Sequence, residues 1–179
     1  MAKFISNAAP CSGQMLKIPA LPWLLGLLLI LQMVIVPPAL AARVDEYVYR
    51  FLAKEPVAIP INSAGETQLF SPEQLTVGKQ LFDQNCKNCH VGGATLPNPA
   101  ESLALADLRA AHPPRDNVAA LVAYQRSPML QDGSELSYLC RRVSQDWLTT
   151  DQLQDLAAFL LRAAEKSPGW GTDALELSF

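Results

Sequence analysis

The chain has 179 residues, is 50% hydrophobic and carries a formal net charge of −3 at pH 7, but much of its apolar content lies in the first 40 residues. From residue 42 onward the chain keeps all 17 acidic residues and all but two of the 14 basic ones, which gives that part a net charge of −5. This acidic balance excludes nucleic acid as an electrostatically favoured partner and suits basic protein partners instead.

Residues 1–41 are organised like a cleavable signal peptide. Lys3 and Lys17 are their only charged residues, residues 23–36 form a nearly continuous apolar run, and Ala-Leu-Ala follows at 39–41. A basic beginning, an apolar stretch and a small-residue cleavage site in this order are typical of an export signal. A membrane anchor is the alternative, but the run is shorter than the ~20 residues that span a bilayer. We therefore predict export, with cleavage after residue 41.

The segment 42–70 mixes charged residues with prolines. Between Pro56 and Asn62 the residue pattern alternates, which predicts an extended segment or a short strand. We expect 42–70 to be an N-terminal extension that packs on the domain without forming its core. The domain itself is expected to comprise residues 71–179, a length that allows one modest core.

A helix is predicted to begin at Ser71. Ser71 can cap it, a proline follows at the first helical position, and Gln74 completes a capping box. Four residues at helical spacing then form one face: Leu75, Gly78, Leu81 and Phe82. The helix therefore delivers Cys86 and Cys89 at its end, and the small Gly78 lets another helix approach closely.

The pentapeptide CKNCH at 86–90 carries the chemistry of the chain. Cys86 and Cys89 have the spacing that forms thioether bonds to the vinyl groups of a haem, and His90 would then be the proximal ligand of the iron. The same three residues with the distant Cys140 could instead form a Cys3His zinc site. The predicted export favours haem, since thioether attachment takes place outside the cytoplasm. We predict one covalently attached haem c.

The remaining segments predict further helices and no series of strands. A loop rich in glycine and proline spans 91–102, and a helical turn at 102–109 offers three leucines to the haem pocket: Leu103, Leu105 and Leu108. A helix capped by Asp116 follows, and the last helix begins with a capping box of Thr149 and Gln152. Together these segments predict an all-α fold, a small class I-type c-type cytochrome domain in which the haem forms much of the core.

The sixth ligand of the iron is open between Cys140, Met129, His112 and an empty site. Met129 lies at a loop corner and His112 precedes two prolines, where a surface turn is expected. Cys140 lies in the irregular stretch between the two later helices, and Arg141 and Arg142 follow it, which would lower its pKa and favour a ligating thiolate. We prefer Cys140, with a buried cysteine that packs as a small apolar group as the alternative.

Several stretches resemble the cytochrome c-550 family, the extrinsic haem subunits of photosystem II in cyanobacteria. They are LADL at 105–108, PRDNV at 114–118, ALV at 120–122, WGT at 170–172 and the helix with its pentapeptide at 75–90. The family supplies a second histidine ligand in a Ser-Glu-Leu-His segment, whereas this chain has Ser137 after Ser-Glu-Leu. The chain is therefore identified as a divergent cytochrome c-550-like member, and Cys140 is our preferred candidate to replace that histidine.

The resemblance implies a monohaem cytochrome of low potential in the thylakoid lumen. It implies peripheral attachment to the membrane through photosystem II subunits or another redox partner protein. A six-coordinate iron exchanges electrons but does not bind substrate, so electron transfer or a structural role is expected and enzymatic activity is not. The alternative function is a five-coordinate haem protein that binds a small ligand or peroxide.

Overall fold

The computed structural model of the protein describes residues 43–96 and 101–172, so the predicted signal peptide lies outside the described residues. The described chain begins with a short π-helix, Val48–Leu52, and continues through two strands and four α-helices. The strands are β1, Val57–Pro60, and β2, Thr67–Phe70. The helices are α1, Pro72–Asn85; α2, Leu105–Ala110; α3, Val118–Arg126; and α4, Thr150–Lys166. None of these described helices has the length and apolar character needed to span a membrane.

The expected all-α fold is corrected by a small β-hairpin. Strands β1 and β2 are antiparallel, with Val57 opposite Phe70 and Pro60 opposite Thr67. The side chain of Asn62 accepts hydrogen bonds from the backbone N–H groups of Ala64 and Glu66, at 3.0 and 3.3 Å, which shapes the turn. For residues 56–62 the sequence allowed either an extended segment or a short strand. The structure contains the strand, because β2 follows after one turn and pairs with β1.

The segment before α1 contributes to the core, which differs from our expectation. Five of its side chains are buried with the helices: Val48, Leu52, Ala53, Ile59 and Phe70. Long-range hydrogen bonds fix the segment, since the Asp45 N–H donates to Thr76 Oγ1 at 3.0 Å and Arg162 Nε donates to the Leu52 carbonyl at 2.8 Å. Each element here is only four or five residues long, so periodicity could not reveal its buried side.

Helices α1 and α4 form the central packing contact. A Cβ atom added at Gly78 would lie 2.1 Å from the Asp155 carbonyl oxygen and 2.7 Å from the Phe159 Cβ. Any side chain at this position would therefore push the two helices apart. The predicted close approach at Gly78 is confirmed, with α4 as the partner helix.

The helix caps agree with the sequence at two of three sites. Both capping boxes are confirmed, Ser71 with Gln74 on α1 and Thr149 with Gln152 on α4. At α3 the cap is not Asp116 but its neighbour Asn117, whose side chain accepts from the Ala120 N–H at 2.9 Å. Asp and Asn are both good caps, and only the backbone path decides which of the two adjacent side chains faces the helix end.

An aromatic cluster joins the two long helices to the chain after the pentapeptide. The ring of Trp170 lies 5.5 Å from that of Phe82 on α1 and 5.8 Å from that of Phe159 on α4. Trp170 Nε1 donates to the Leu103 carbonyl at 3.0 Å. A Cβ at Gly93 would lie 2.6 Å from the Trp170 indole, so the backbone passes directly against the ring. This cluster fixes the segment that carries the site residues.

Candidate functional site

The pentapeptide forms a tight turn at the end of α1. The Cys86 N–H donates to the Phe82 carbonyl at 2.8 Å, which closes the helix. The N–H groups of Cys89 and His90 both donate back to the Cys86 carbonyl, at 3.1 and 3.0 Å. Backbone hydrogen bonds therefore hold both thiols and the imidazole within one turn of chain. The predicted attachment of Cys86, Cys89 and His90 to one haem requires such a turn.

The imidazole of His90 has a hydroxyl group beside its Nδ1 atom. The Thr95 Oγ1 lies 3.1 Å from His90 Nδ1. The tautomer with its proton on Nδ1 donates to Thr95 and leaves the lone pair of Nε2 for a metal. Burial lowers the pKa of the His90 imidazole, which favours the neutral, ligating form. Thr95 was not among the site residues expected from the sequence.

One cavity brings His90, Cys89 and Cys140 together. The leucines on its wall are Leu103, Leu108, Leu121, Leu130 and Leu139. Neither Met129 nor His112, both within the described ranges, lines it. Among the described residues, therefore, Cys140 is the candidate sixth ligand that shares a cavity with His90.

The other two candidates have their own surroundings. Met129 forms an isolated antiparallel bridge with Leu136. His112 is exposed, and its backbone N–H donates to the Gln131 carbonyl at 2.8 Å. Of the three leucines offered to the pocket, Leu105 instead lines a separate cavity beside β1 and α4.

The three described cysteines form no disulfide bond and lie near one another. Burial raises the pKa of the Cys86 thiol to about 12, and the nearby Cys140 and Cys89 add to this shift. Within the described ranges, no group of three or more His, Cys, Asp or Glu side chains is arranged to hold a metal ion. The Cys3His zinc alternative therefore has no geometric support there.

The surroundings of Cys140 differ from those expected. Burial raises the pKa of its thiol, while the Tyr124 hydroxyl and the Arg115 charge act in the opposite direction. Arg141 is exposed, and its guanidinium lies over the Trp147 ring at 4.7 Å. The cation that acts on Cys140 is thus Arg115, and the expectation for the adjacent arginines was wrong.

Arg115 is a buried cation at the cavity wall, with only 8% of its surface exposed. Its guanidinium donates to the carbonyls of Met129 and Leu130, at 3.0 and 2.7 Å, and to Gln131 Oε1 at 3.3 Å. It also lies 4.1 Å from the centroid of the Tyr124 ring. The sequence gives no local signal for this role, because the hydrogen-bonding partners are 14 to 16 positions away.

Comparison with known proteins decides the family. Residues 49–177 match the cytochrome c-550 domain. The chain belongs to the cytochrome c-550 family. A cytochrome c-550-like protein of Thermosynechococcus vestitus is 57% identical over 157 residues, which cover 85% of this chain and 90% of that protein. The photosystem II extrinsic protein V of Gloeobacter violaceus is 53% identical over 137 residues, covering 76% of this chain and 74% of that protein.

A solved cytochrome shares the fold. The crystal structure of the PsbV2 cytochrome from Thermosynechococcus elongatus matches with a TM-score of 0.70 and 60% identity, covering 72% of this chain and 99% of that one. The resemblance to the cytochrome c-550 family is therefore confirmed. The family fold is helical with a small two-stranded sheet, as the described residues show.

The residues of the site fit a haem c. The two thiols have the required spacing, Thr95 lies beside Nδ1 of the His90 imidazole and not beside Nε2, and five leucines line the cavity. Cys140 adds a second possible axial donor in the same cavity. A Cys3His zinc site would use the same four residues, and it is the membership of the chain in a cytochrome family that favours haem.

Proposed function

We propose that the protein is an exported monohaem c-type cytochrome with His90 and Cys140 as the axial ligands of the iron. Cys86 and Cys89 form the two thioether bonds. The observation that carries this proposal is that Cys140 lines the cavity of His90, whereas Met129 and His112 do not. When bound, the haem supplies a one-electron ferric–ferrous couple.

The side chains around the site have separate tasks in this proposal. Thr95 holds His90 in the ligating tautomer. Leu103, Leu108 and Leu121 give the cavity an apolar part, whereas Leu130 and Leu139 are exposed to solvent. The negative charge of a Cys140 thiolate stabilises ferric over ferrous iron, so the reduction potential is low. With both axial positions filled, the protein transfers electrons or serves as a structural haem subunit and is not an enzyme.

We infer that the protein acts in the thylakoid lumen, at the surface of photosystem II. Relatives include proteins named photosystem II extrinsic protein V, which supports this inference. Removal of residues 1–41 would leave a chain of net charge −5, which suits a basic docking surface on a protein partner. Membrane association is then peripheral and depends on that partner.

The axial ligands are tested by electron paramagnetic resonance of the ferric, haem-loaded protein beside a Cys140→Ser variant. The expected result is a low-spin thiolate signal that disappears in Cys140→Ser. Met129→Leu and His112→Gln are the matched controls, and both should keep that signal. An unchanged spectrum in Cys140→Ser would contradict ligation by Cys140, and loss of the low-spin signal in a control variant would assign the ligand to that residue.

Carbon monoxide tests the coordination number. A six-coordinate ferrous iron should bind it slowly or incompletely, because the sixth ligand must leave first. Rapid and complete binding would contradict the six-coordinate proposal and support the five-coordinate alternative, in which a small ligand or peroxide reaches the iron.

The association with photosystem II is tested on the purified complex from the organism that encodes this chain. Mass spectrometry should detect the mature chain in preparations made at low ionic strength, and a salt wash should release it. Preparations that consistently lack the chain would contradict the proposed location without affecting the assignment of the axial ligands.

A further inference from the structure

Tyr124 lies where its hydroxyl can act on Cys140. It occupies the last turn of α3, is half-buried, and lines the same cavity as Cys140. The cavity therefore brings Tyr124 and Cys140 together at one site. A tyrosine hydroxyl can donate a hydrogen bond, whereas a thiolate sulfur has no proton and can only accept one.

Arg115 fixes the orientation of the Tyr124 ring. Its guanidinium lies 4.1 Å from the ring centroid, a favourable cation–π distance in a desolvated place. The guanidinium is itself held by the carbonyls of Met129 and Leu130. Among the described residues no carboxylate forms an ion pair with this guanidinium, and Glu101 is the one carboxylate that lines the same cavity.

We propose that Tyr124 is a positioning residue that donates a hydrogen bond to the Cys140 sulfur when that sulfur ligates the iron, and that Arg115 holds Tyr124 in place for this. The inference rests on the proposed ligation by Cys140. Such a hydrogen bond withdraws negative charge from the thiolate, which weakens its preference for ferric iron. The pair thereby sets the reduction potential above that of the same thiolate without a donor.

The decisive variant is Tyr124→Phe, which keeps the ring and removes only the hydroxyl. At a fixed solution potential its ferrous-to-ferric ratio should fall about tenfold, which is a drop of about 59 mV for a one-electron couple. Spectroelectrochemical titration measures this drop in potential. In the electron paramagnetic resonance spectrum of the ferric protein, the g values should shift while the thiolate signal remains. Tyr49→Phe is the matched control, because Tyr49 is an exposed residue of the π-helix. The reduction potential of this variant should equal that of the parent protein.

The part assigned to Arg115 is tested by a double-mutant cycle. Arg115→Lys keeps a charge but loses the planar group that stacks on the ring. If Arg115 acts through the hydroxyl of Tyr124, its substitution should lower the potential in the parent protein and have a clearly smaller effect in Tyr124→Phe. Equal effects in both backgrounds would overturn this role for Arg115.

The outcomes separate this inference from the proposal on which it rests. A thiolate signal that is lost in Cys140→Ser, together with an unchanged potential and unchanged g values in Tyr124→Phe, overturns the role of Tyr124 and leaves the ligation standing. A spectrum that is unchanged in Cys140→Ser overturns the ligation and the inference with it. Tyr124→Phe conserves the packing of α3, so a folded sample is expected for the comparison.

Discussion

At the scale of single residues, the orientation of His90 depends on one hydroxyl outside the pentapeptide. Thr95 Oγ1 lies 3.1 Å from Nδ1, in the loop that follows the turn. A hydrogen bond from the second ring nitrogen raises the basicity of a metal-bound imidazole and fixes its plane. In our proposal Thr95 therefore acts on the iron from the His90 side, as Tyr124 does from the Cys140 side.

Replacing Thr95 by Val should raise the reduction potential of the haem-loaded protein. The less basic imidazole stabilises ferric iron less, by at most the net worth of one hydrogen bond, about 1 kcal/mol. Redox titration measures the change. Thr95→Ser is the matched control, because it keeps the hydroxyl, and its potential should stay near that of the parent. A Val variant with the parent's potential would show that Thr95 does not act on His90.

At the scale of elements, the position of the pentapeptide depends on the contact between α1 and α4. Gly78 is the narrowest point of that contact, where a Cβ would lie 2.1 Å from the Asp155 carbonyl oxygen. The aromatic pair Phe82 and Phe159 packs one turn farther along, with ring centroids 5.6 Å apart. A shift of one helix against the other would therefore move the end of α1, which carries both thioether cysteines.

Gly78→Ala should destabilise the protein by about 1–3 kcal/mol, the usual cost of overpacking a tight core. Alanine has the higher helix propensity by up to about 1 kcal/mol, so the steric cost has to exceed this gain. Urea unfolding of the haem-loaded protein measures the difference. Gln80→Ala, an exposed position of the same helix, is the control and should stay within about 0.5 kcal/mol of the parent. Equal stability of the two variants would contradict the close approach.

Much of the helical structure could be predicted, because the signals for it are local. The capping boxes that begin α1 and α4 each lie within four residues, and both were predicted correctly. The alternation at residues 56–62 allowed a strand without identifying its partner, and the buried side chains of the segment before α1 were not predicted, since contacts of this segment reach far along the chain. The Asp45 N–H, for example, donates to Thr76, 31 positions away.

The candidate site could be predicted only where its residues are adjacent in the sequence. The pentapeptide is local and gave Cys86, Cys89 and His90, whereas the surroundings of Cys140 depend on residues from three other segments. Arg115 is buried against carbonyl groups 14 and 15 positions later, and no sequence pattern announces such a contact. The sequence therefore offered Cys140 as a candidate but assigned its cationic neighbour to the wrong arginines.

At the scale of the whole molecule, the two sides of the cavity differ in how they are held. The His90 side rests on α1, α4 and the aromatic cluster of Phe82, Phe159 and Trp170. The Cys140 side belongs to residues 129–147, none of which is fully buried. Tyr138 is 94% exposed, and the segment is anchored mainly by hydrogen bonds from Arg115 and Arg126. Few buried contacts mean a low free energy of local opening.

A bond between Cys140 and the iron would therefore be a main restraint on this segment. Cys140→Ser in the haem-loaded protein should speed amide hydrogen exchange of residues 134–142 about tenfold or more, equivalent to about 1.4 kcal/mol of local stability. Exchange in α1 and α4 should stay close to that of the parent, since these helices pack chiefly against each other and residues 134–142 contribute no side chain to the core cluster. Tyr138→Phe is the control within the segment and should leave exchange unaltered. Equal protection of residues 134–142 in Cys140→Ser and the parent would mean that side-chain hydrogen bonds alone hold the segment and that no bond from Cys140 to the iron restrains it.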